Sequence, residues 1–480
     1  MSTSYSRTLS QPEWYTPFLW RKGMLAAVCV GVVAVSGQPL LMGASLLVLA
    51  CGIALLWQPG LPPVLLFAFF YQWAQVSGEL FYSLFTGVSL TSRFVRAPYI
   101  REAIGLGLLG LLVLAIGMWI PLRSLRVKEL VTTARAEIQR INIERIFWVY
   151  IALLGYILLL PFLRSAVPAA SQILLAAAEL RWALVFLLTY SVLLKQRGWF
   201  FLAVAVLFEF IYGLGFFSGF KTVFFVLAVA AGMAYTRLEM RSLVAGSAIA
   251  IAVFLTGSVW SVIESDYRQF LNRGTGQQVV YASKWEQVQK FADLASSVSW
   301  AEVQRGAELT IKRVAYVQFF AATLSYVPEH QAHEGGALWG RAIKHVLMPR
   351  ILFPEKPVLK SDSRATREYT GLDIAGGARG TSISIGYMGE SYVDFGRYGM
   401  FLPVFLLGLV WGGMLLYFVR RANVKVVGLA FAVAVLLNAN RFEITSLKLL
   451  GGVLMKFIVL ALALRFGAPY VSSWLLEEAK

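Results

Sequence analysis

Cysteine, histidine and charge are all scarce in this chain. Its 2 cysteines, Cys29 and Cys51, both lie inside apolar runs, which excludes a disulfide framework and a thiolate metal site. The 3 histidines, His330, His333 and His345, fall within one polar stretch. His330 and His333 have a spacing that metal ligands use, but no Cys or clear third ligand accompanies them, so no metal and no cofactor are expected. Charged residues make up 14% of 480 positions against 58% hydrophobic ones, well outside the proportions of soluble domains. Acidic side chains number 26 against 43 basic ones, a net charge of +17. In a soluble chain that excess would point to nucleic acid. Here most of it sits in short loops beside apolar runs, where it orients a membrane protein, so membrane lipids are the expected partner and nucleic acid is not.

A membrane span needs roughly 20 apolar residues. Candidate spans fall near 22–36, 39–57, 62–86, 103–122, 146–166, 171–194, 199–217, 222–236, 243–263, 398–419, 425–438 and 449–466. The expected fold class is therefore an all-α polytopic membrane protein with about twelve transmembrane helices. Residues 1–263 would hold the first nine, 264–397 one long extracytoplasmic loop, and 398–480 the last three with a tail. The polar stretch Met1 to Trp20 does not read as a cleavable signal peptide, so the first span is expected to remain. Arg21 and Lys22, the basic run Arg123 to Arg145, Lys195 and Arg197, Arg237 and Arg241, Arg420, Arg421 and Lys425, and Arg465 alternate so as to share one side. By the positive-inside rule that side is cytoplasmic, with both termini. The long insertion is placed asymmetrically, and the two halves show no matching broken helices, which favours an enzyme over a repeat-built carrier.

Glu79, Glu179, Arg181, Glu209 and Lys456 interrupt apolar runs, where an unpaired charge is costly. They should pair between helices, snorkel to the interface or face a cavity. Glu179 and Arg181 are two residues apart and point to different helix faces, which argues against pairing with each other. Gly213, Gly215 and Gly219 suit close packing or a bend.

In the long loop, Trp285, Val288, Phe291, Leu294, Val298, Val303 and Leu309 recur at helical intervals. One or two amphipathic helices are expected there, either as a cover over the bundle or in contact with substrate. Beyond Pro328 the prolines at 349, 354 and 357 fix an extended path that can hold Arg341, Lys344, Arg350 and Lys356 in one region. Arginine's planar fork suits phosphate oxygens, so this cluster fits either a lipid diphosphate head group or a solvated loop beside anionic lipid. Asp362 can cap a short helix ending at Gly371, placing Arg364 and Arg367 on one face as a second anion clamp. Arg93 and Arg96 share that spacing on another outer loop, and Arg441 lies outside as well. The Gly376–Ser382 run, which contains Arg379, can bring backbone N–H groups close to an anion but lacks the lysine of a nucleotide loop. Glu390 and Asp394 are four apart just before a span, on one helix face. Glu390 either accepts the proton of an attacking sugar hydroxyl, a role worth roughly 10²- to 10⁴-fold, or caps a helix or pairs with an arginine.

Two strings carry a family resemblance. Pro349-Arg350 with Phe353-Pro354-Glu355-Lys356-Pro357, and Gly389-Glu390, Tyr392, Asp394-Phe395-Gly396 and Gly399 leading into a late span, resemble the motifs of bacterial O-antigen and exopolysaccharide repeat-unit polymerases of the Wzy type. The resemblance implies a helical fold similar to the C-type membrane glycosyltransferases. It also implies an undecaprenyl-diphosphate-linked oligosaccharide as substrate, polymerised outside the cytoplasm at the bacterial inner membrane, and a chain-length-regulating co-polymerase as partner. Under it Arg350 would stabilise the departing diphosphate, with Arg364, Arg367 and Lys356 in support, and Glu390 would position or deprotonate the acceptor. An O-antigen-type ligase and a lipid-linked oligosaccharide flippase are the alternatives.

Overall fold

The computed structural model describes residues 27–476 apart from 93–96, 216–218, 236–239, 278, 349–352, 354, 356–360 and 375–381. Among the described residues the secondary structure is helical, and the β pairing is a single bridge between Ile141 and Leu476. The first half comprises α1 (27–35), α2 (Pro39–Leu56), α3 (Val64–Thr86), α4 (Ile100–Leu122), α5 (Val127–Arg140), α6 (Ile143–Ala166), α7 (Ser171–Ala178), α8 (Leu180–Lys195), α9 (Trp199–Gly213), α10 (Lys221–Ala234) and α11 (Met240–Leu271). The polar segment holds α12 (Lys284–Ser297), α13 (Trp300–Val314), α14 (Val317–Tyr326), α15 (Ala337–Leu347), α16 (Asp362–Thr370) and α17 (Gly386–Gly399). The chain ends with α18 (Phe401–Arg421), α19 (Lys425–Leu436), α20 (Ser446–Leu462) and α21 (Ala468–Leu475).

Six helical stretches among the described residues are long and apolar enough to cross a membrane: Pro39–Leu56, Ile100–Leu122, Ile143–Ala166, Pro168–Lys195, Phe401–Arg421 and Ser446–Leu475. Shorter apolar helices cover Trp199–Gly213, Lys221–Ala234 and Lys425–Asn440. The chain is thus a helical membrane protein. α3 is as long as a span but departs from a uniformly apolar one. It buries Gln72, Gln75, Ser77 and Glu79, and polar groups withdrawn from water need partners inside the protein.

α4 and α18 pack closely against one another. A Cβ on Gly408 would stand 2.4 Å from the Leu114 carbonyl oxygen, and one on Gly412 2.2 Å from that of Met118. Small residues four apart let backbones touch, which is how helices gain packing energy where lipid removes the hydrophobic incentive to associate. Four of the charges inside the bundle are paired between helices. Lys456 Nζ on α20 lies 2.8 Å from Glu179 at the α7–α8 junction, and Arg181 on α8 lies 3.7 Å from Glu209 on α9, which also accepts from the Tyr150 hydroxyl at 3.1 Å. Glu179 and Arg181 therefore serve different partners, as their offset on the helix requires.

The amphipathic repeat after Tyr281 resolves into α12 and α13, each opened by a reciprocal capping box, Ser283 with Glu286 and Ser299 with Glu302. α13 packs along α11. The α11 helix continues through the expected loop boundary at Glu264 to Leu271, and Glu264 is bridged to Arg268 on its own helix and to Arg313 on α13. α14 packs against α4, α16 and α17, α15 packs against α20 and α17, and α17 runs into α18 through Gly396, whose φ of 70° with ψ of −171° breaks the helix and turns the chain.

Candidate functional site

The segment between α19 and α20 is held open rather than coiled. After a short 3-10 turn at Leu437–Asn440 it passes Arg441 in an extended conformation and reaches Thr445, whose side chain caps α20 by accepting from Lys448 N–H. Two glutamines on successive turns of α3 hold it. Gln72 donates to the Ala439 carbonyl at 3.0 Å, and Gln75 accepts from Phe442 N–H at 3.0 Å and donates to Glu443 Oε2 at 2.8 Å. The Tyr387 hydroxyl of α17 completes the set by donating to Gln72 at 2.7 Å. Gly386 has φ of +77°, and a Cβ there would fall 2.5 Å from the Phe442 carbonyl oxygen. α17 can therefore start against this segment only with glycine at that position.

Glu390 lies one turn beyond Tyr387 and is 6% exposed. Its Oε2 accepts from both the backbone N–H and the hydroxyl of Ser446, each at 2.6 Å. A carboxylate at the N-terminus of α20 meets the unsatisfied N–H groups and the positive end of the helix dipole. Burial nonetheless dominates and pushes the Glu390 carboxyl up to about 7; the Ser446 hydrogen bonds oppose that rise, while Asp362 and Asp394 add to it. Of the two roles read from sequence, capping is the one its hydrogen bonds display. A carboxyl balanced near neutrality can also take or release a proton.

Asp394, one further turn along α17, accepts from Leu338 N–H at 3.0 Å and Trp339 N–H at 2.8 Å, capping α15. Its carboxyl is raised by burial against the pull of those two bonds. Glu390 and Asp394 do share a helix face, and each ties α17 to the start of a different helix. Asp362, in the first turn of α16, accepts from Ser382 Oγ at 2.9 Å and pairs with Lys448 Nζ of α20 at 2.5 Å. The α16 helix ends at Gly371 in the left-handed region, as read from sequence. Tyr316 at the head of α14 both donates to the Ser384 carbonyl at 2.9 Å and accepts from Ser384 N–H at 3.1 Å. Burial raises its hydroxyl pKa, and the nearby charges of Glu443 and Asp362 add to the rise. Five elements, α3, α14, α16, α17 and the α19–α20 segment, thus converge on one polar cluster at an end of an apolar bundle.

Cations flank this cluster. Arg441 is exposed, and Lys448 is half exposed beyond its contact with Asp362. Arg441, Glu443 and Arg313 all lie within electrostatic reach of the Tyr71 hydroxyl on α3, which connects the cluster to the Glu264, Arg268 and Arg313 group. Arg364 and Arg367 are both exposed on α16, and Arg341 is exposed on α15. Arg350, Lys356, Arg379 and Arg93 lie outside the described residues.

His333 Nδ1 lies 3.1 Å from the Val393 carbonyl oxygen, and His330 stacks on Tyr326. Among the described residues no group of three His, Cys, Asp or Glu side chains is placed to hold a metal ion.

Sequence reasoning missed Gln72, Gln75, Tyr316, Glu443, Ser446 and Lys448. Gln72 and Gln75 carried a usable signal, two amides three residues apart within an otherwise aromatic and aliphatic run. Tyr316 and Glu443 sit in short connections, and Ser446 and Lys448 in the first turn of α20, where their role depends on the helices they meet.

This arrangement defines a helical membrane protein with a buried polar cluster, acidic inside and basic at its edge. Residues 82–422 match the family described as Domain of unknown function (DUF8712), and the chain belongs to that family. No curated protein and no solved structure matches it.

Proposed function

We propose that this protein is a membrane glycosyltransferase that polymerises undecaprenyl-diphosphate-linked oligosaccharide repeat units at the extracytoplasmic face of a bacterial inner membrane, with about twelve spans and both termini cytoplasmic. The observation that carries this reading is Glu390, a buried carboxyl titrating at about 7 beside Ser446, with Lys448 in the first turn of α20 and Arg441 on the segment that leads into it. Glycosyl transfer from a lipid diphosphate needs a proton acceptor for the incoming hydroxyl and fixed positive charge for the departing diphosphate.

In the proposed step the acceptor hydroxyl oxygen attacks the anomeric carbon of the growing chain. A new C–O bond forms, the bond from that carbon to the diphosphate oxygen breaks, and the electron pair leaves with undecaprenyl diphosphate. The hydroxyl proton passes to Glu390. Both Ser446 bonds fall on Oε2, which leaves Oε1 as the oxygen to receive it. Arg441 and Lys448, joined by Arg364, Arg367 and Arg350, would neutralise the leaving group.

The test is reconstitution of the purified chain in proteoliposomes with a synthetic undecaprenyl-diphosphate repeat unit from its own gene cluster, followed by gel separation. A ladder of glycans establishes polymerisation, and its loss in Arg441→Ala together with Arg350→Ala places the diphosphate. Single transfer to an added acceptor without a ladder would establish a ligase, and lipid translocation without transfer a flippase.

A further inference from the structure

α18 follows directly on α17, and α20 begins at Ser446 beside Glu390; the two helices extend roughly 30 and 25 Å respectively, at about 1.5 Å per residue. At their far ends stand Arg421, the last residue of α18, and Arg465, within a single π-helical stretch at Ala463–Gly467. Both arginines line a cavity of about 280 Å³ together with Tyr417, Asn423 and Ser472. Among the described residues no acidic residue lines it and neither arginine is in an ion pair. The neighbouring basic residues are already committed: Arg420 donates to Ser124 Oγ, and Lys425 caps α18 through the Val419 and Ala422 carbonyls.

A second cavity of about 170 Å³ adjoins the first, since Val427, Ala468 and Ser472 line both. Its other walls are apolar, among them Leu153, Leu184, Leu187, Phe431 and Val471. It is close in size to apolar cavities that stay dry and take up small hydrocarbons. The π turn serves both cavities. It directs Arg465 to the polar mouth while Ala463 and Gly467 leave room in the apolar slot, and isolated π segments frequently mark functional positions.

We infer that these joined cavities bind one anionic phospholipid, with its phosphodiester between Arg421 and Arg465 and the first part of one acyl chain in the slot. A fork of donors on each side matches phosphate oxygens, and a hydrocarbon-lined recess next to it selects an amphiphile over a free anion. The basic mouth suits the acidic head groups of a cytoplasmic leaflet. This site is independent of the glycosyl-transfer reading. It lies at the C-terminal ends of α18 and α20, so lipid bound there would brace α18 against α20.

The test is native mass spectrometry of the full-length protein in detergent, titrated with phosphatidylglycerol or with phosphatidylcholine of the same acyl chains, and with sn-glycerol phosphate as a chain-free competitor. Phosphatidylglycerol is expected to bind about thirtyfold more tightly than phosphatidylcholine, on the scale of charge attraction for two arginines. The double variant R421Q/R465Q should abolish that preference. Gly467→Leu should weaken phosphatidylglycerol binding without changing charge, because a side chain there projects into open space with nothing within 4 Å of its Cβ. Equal binding of the two lipids, or a preference that survives R421Q/R465Q, would overturn the site. Competition by sn-glycerol phosphate as effective as by phosphatidylglycerol would assign it to a free phosphate and overturn the lipid.

Discussion

Glu390 Oε2 receives two hydrogen bonds of 2.6 Å from one residue, the backbone N–H and the hydroxyl of Ser446. One carboxyl thereby fixes the start of α20 against α17 and stays close to its neutral form. The two effects pull against each other, because the helix N-terminus favours the charged form and burial favours the uncharged one.

Burial wins, so the folded-state pKa of about 7 lies above the ordinary 4.5. The folded protein then holds a proton that the unfolded chain has lost over this range, and stability contributed by Glu390 is complete below about 4.5 and lost as pH rises through about 7. Glu390→Gln keeps an acceptor for Ser446 and removes the titration. Thermal unfolding followed in detergent should show wild type losing stability from pH 5 to 8 relative to Glu390→Gln. Parallel curves would place the carboxyl at an ordinary pKa.

Replacing Ser446 by Ala removes one of the two donors and leaves the N–H. The Glu390 carboxyl should rise further, since the lost bond stabilised its charged form. A difference infrared titration of the protonated carboxyl band should show the midpoint moving to higher pH in Ser446→Ala, and an unmoved midpoint would mean the hydroxyl does not bind Glu390.

The α4–α18 contact has no spare volume at Gly408 and Gly412. Gly408→Leu is expected to cost about 3 kcal/mol or to block folding, in line with overpacking of a tight interface. Gly413→Ala serves as the control, because a Cβ at Gly413 meets nothing within 4 Å. Monodispersity and unfolding midpoint of the two variants check this.

Lys456 and Glu179 are each 17% exposed. Breaking such a pair from one side leaves an uncompensated charge, and Lys456→Met should destabilise by about 3 kcal/mol. The double variant Lys456→Met with Glu179→Leu should recover most of that loss. Unfolding in a mixed-micelle denaturant series measures the coupling.

Much of the fold was legible in composition and period. The long apolar runs became helices near their expected positions, the repeat from Trp285 to Leu309 became α12 and α13, and Asp362 to Gly371 became α16 with its left-handed end. The charges Glu179, Arg181, Glu209 and Lys456 paired between helices, because hydrocarbon leaves a charge few other options. The departures have local causes. The polar side of α3 is hidden from a hydropathy sum because aromatic and aliphatic residues surround Gln72 and Gln75. Helix α11 overran Glu264, because Arg268 and Arg313 neutralise a residue whose charge alone reads as a span boundary. Glu390 and Asp394 were correctly placed on one face, yet their partners Ser446 and Trp339 are distant in sequence, and one chain carries no periodic signal for a contact between such segments.

The most direct measurement of Glu390 as proton acceptor is the pH dependence of glycan-ladder formation in proteoliposomes, taken for wild type and Glu390→Gln under saturating lipid-linked substrate. Wild-type rate should climb as pH rises through about 7, while Glu390→Gln should be slower by roughly 10² or more with that limb absent. A Glu390→Gln protein that forms the ladder at the wild-type rate, with the same pH profile, would contradict the proposed role.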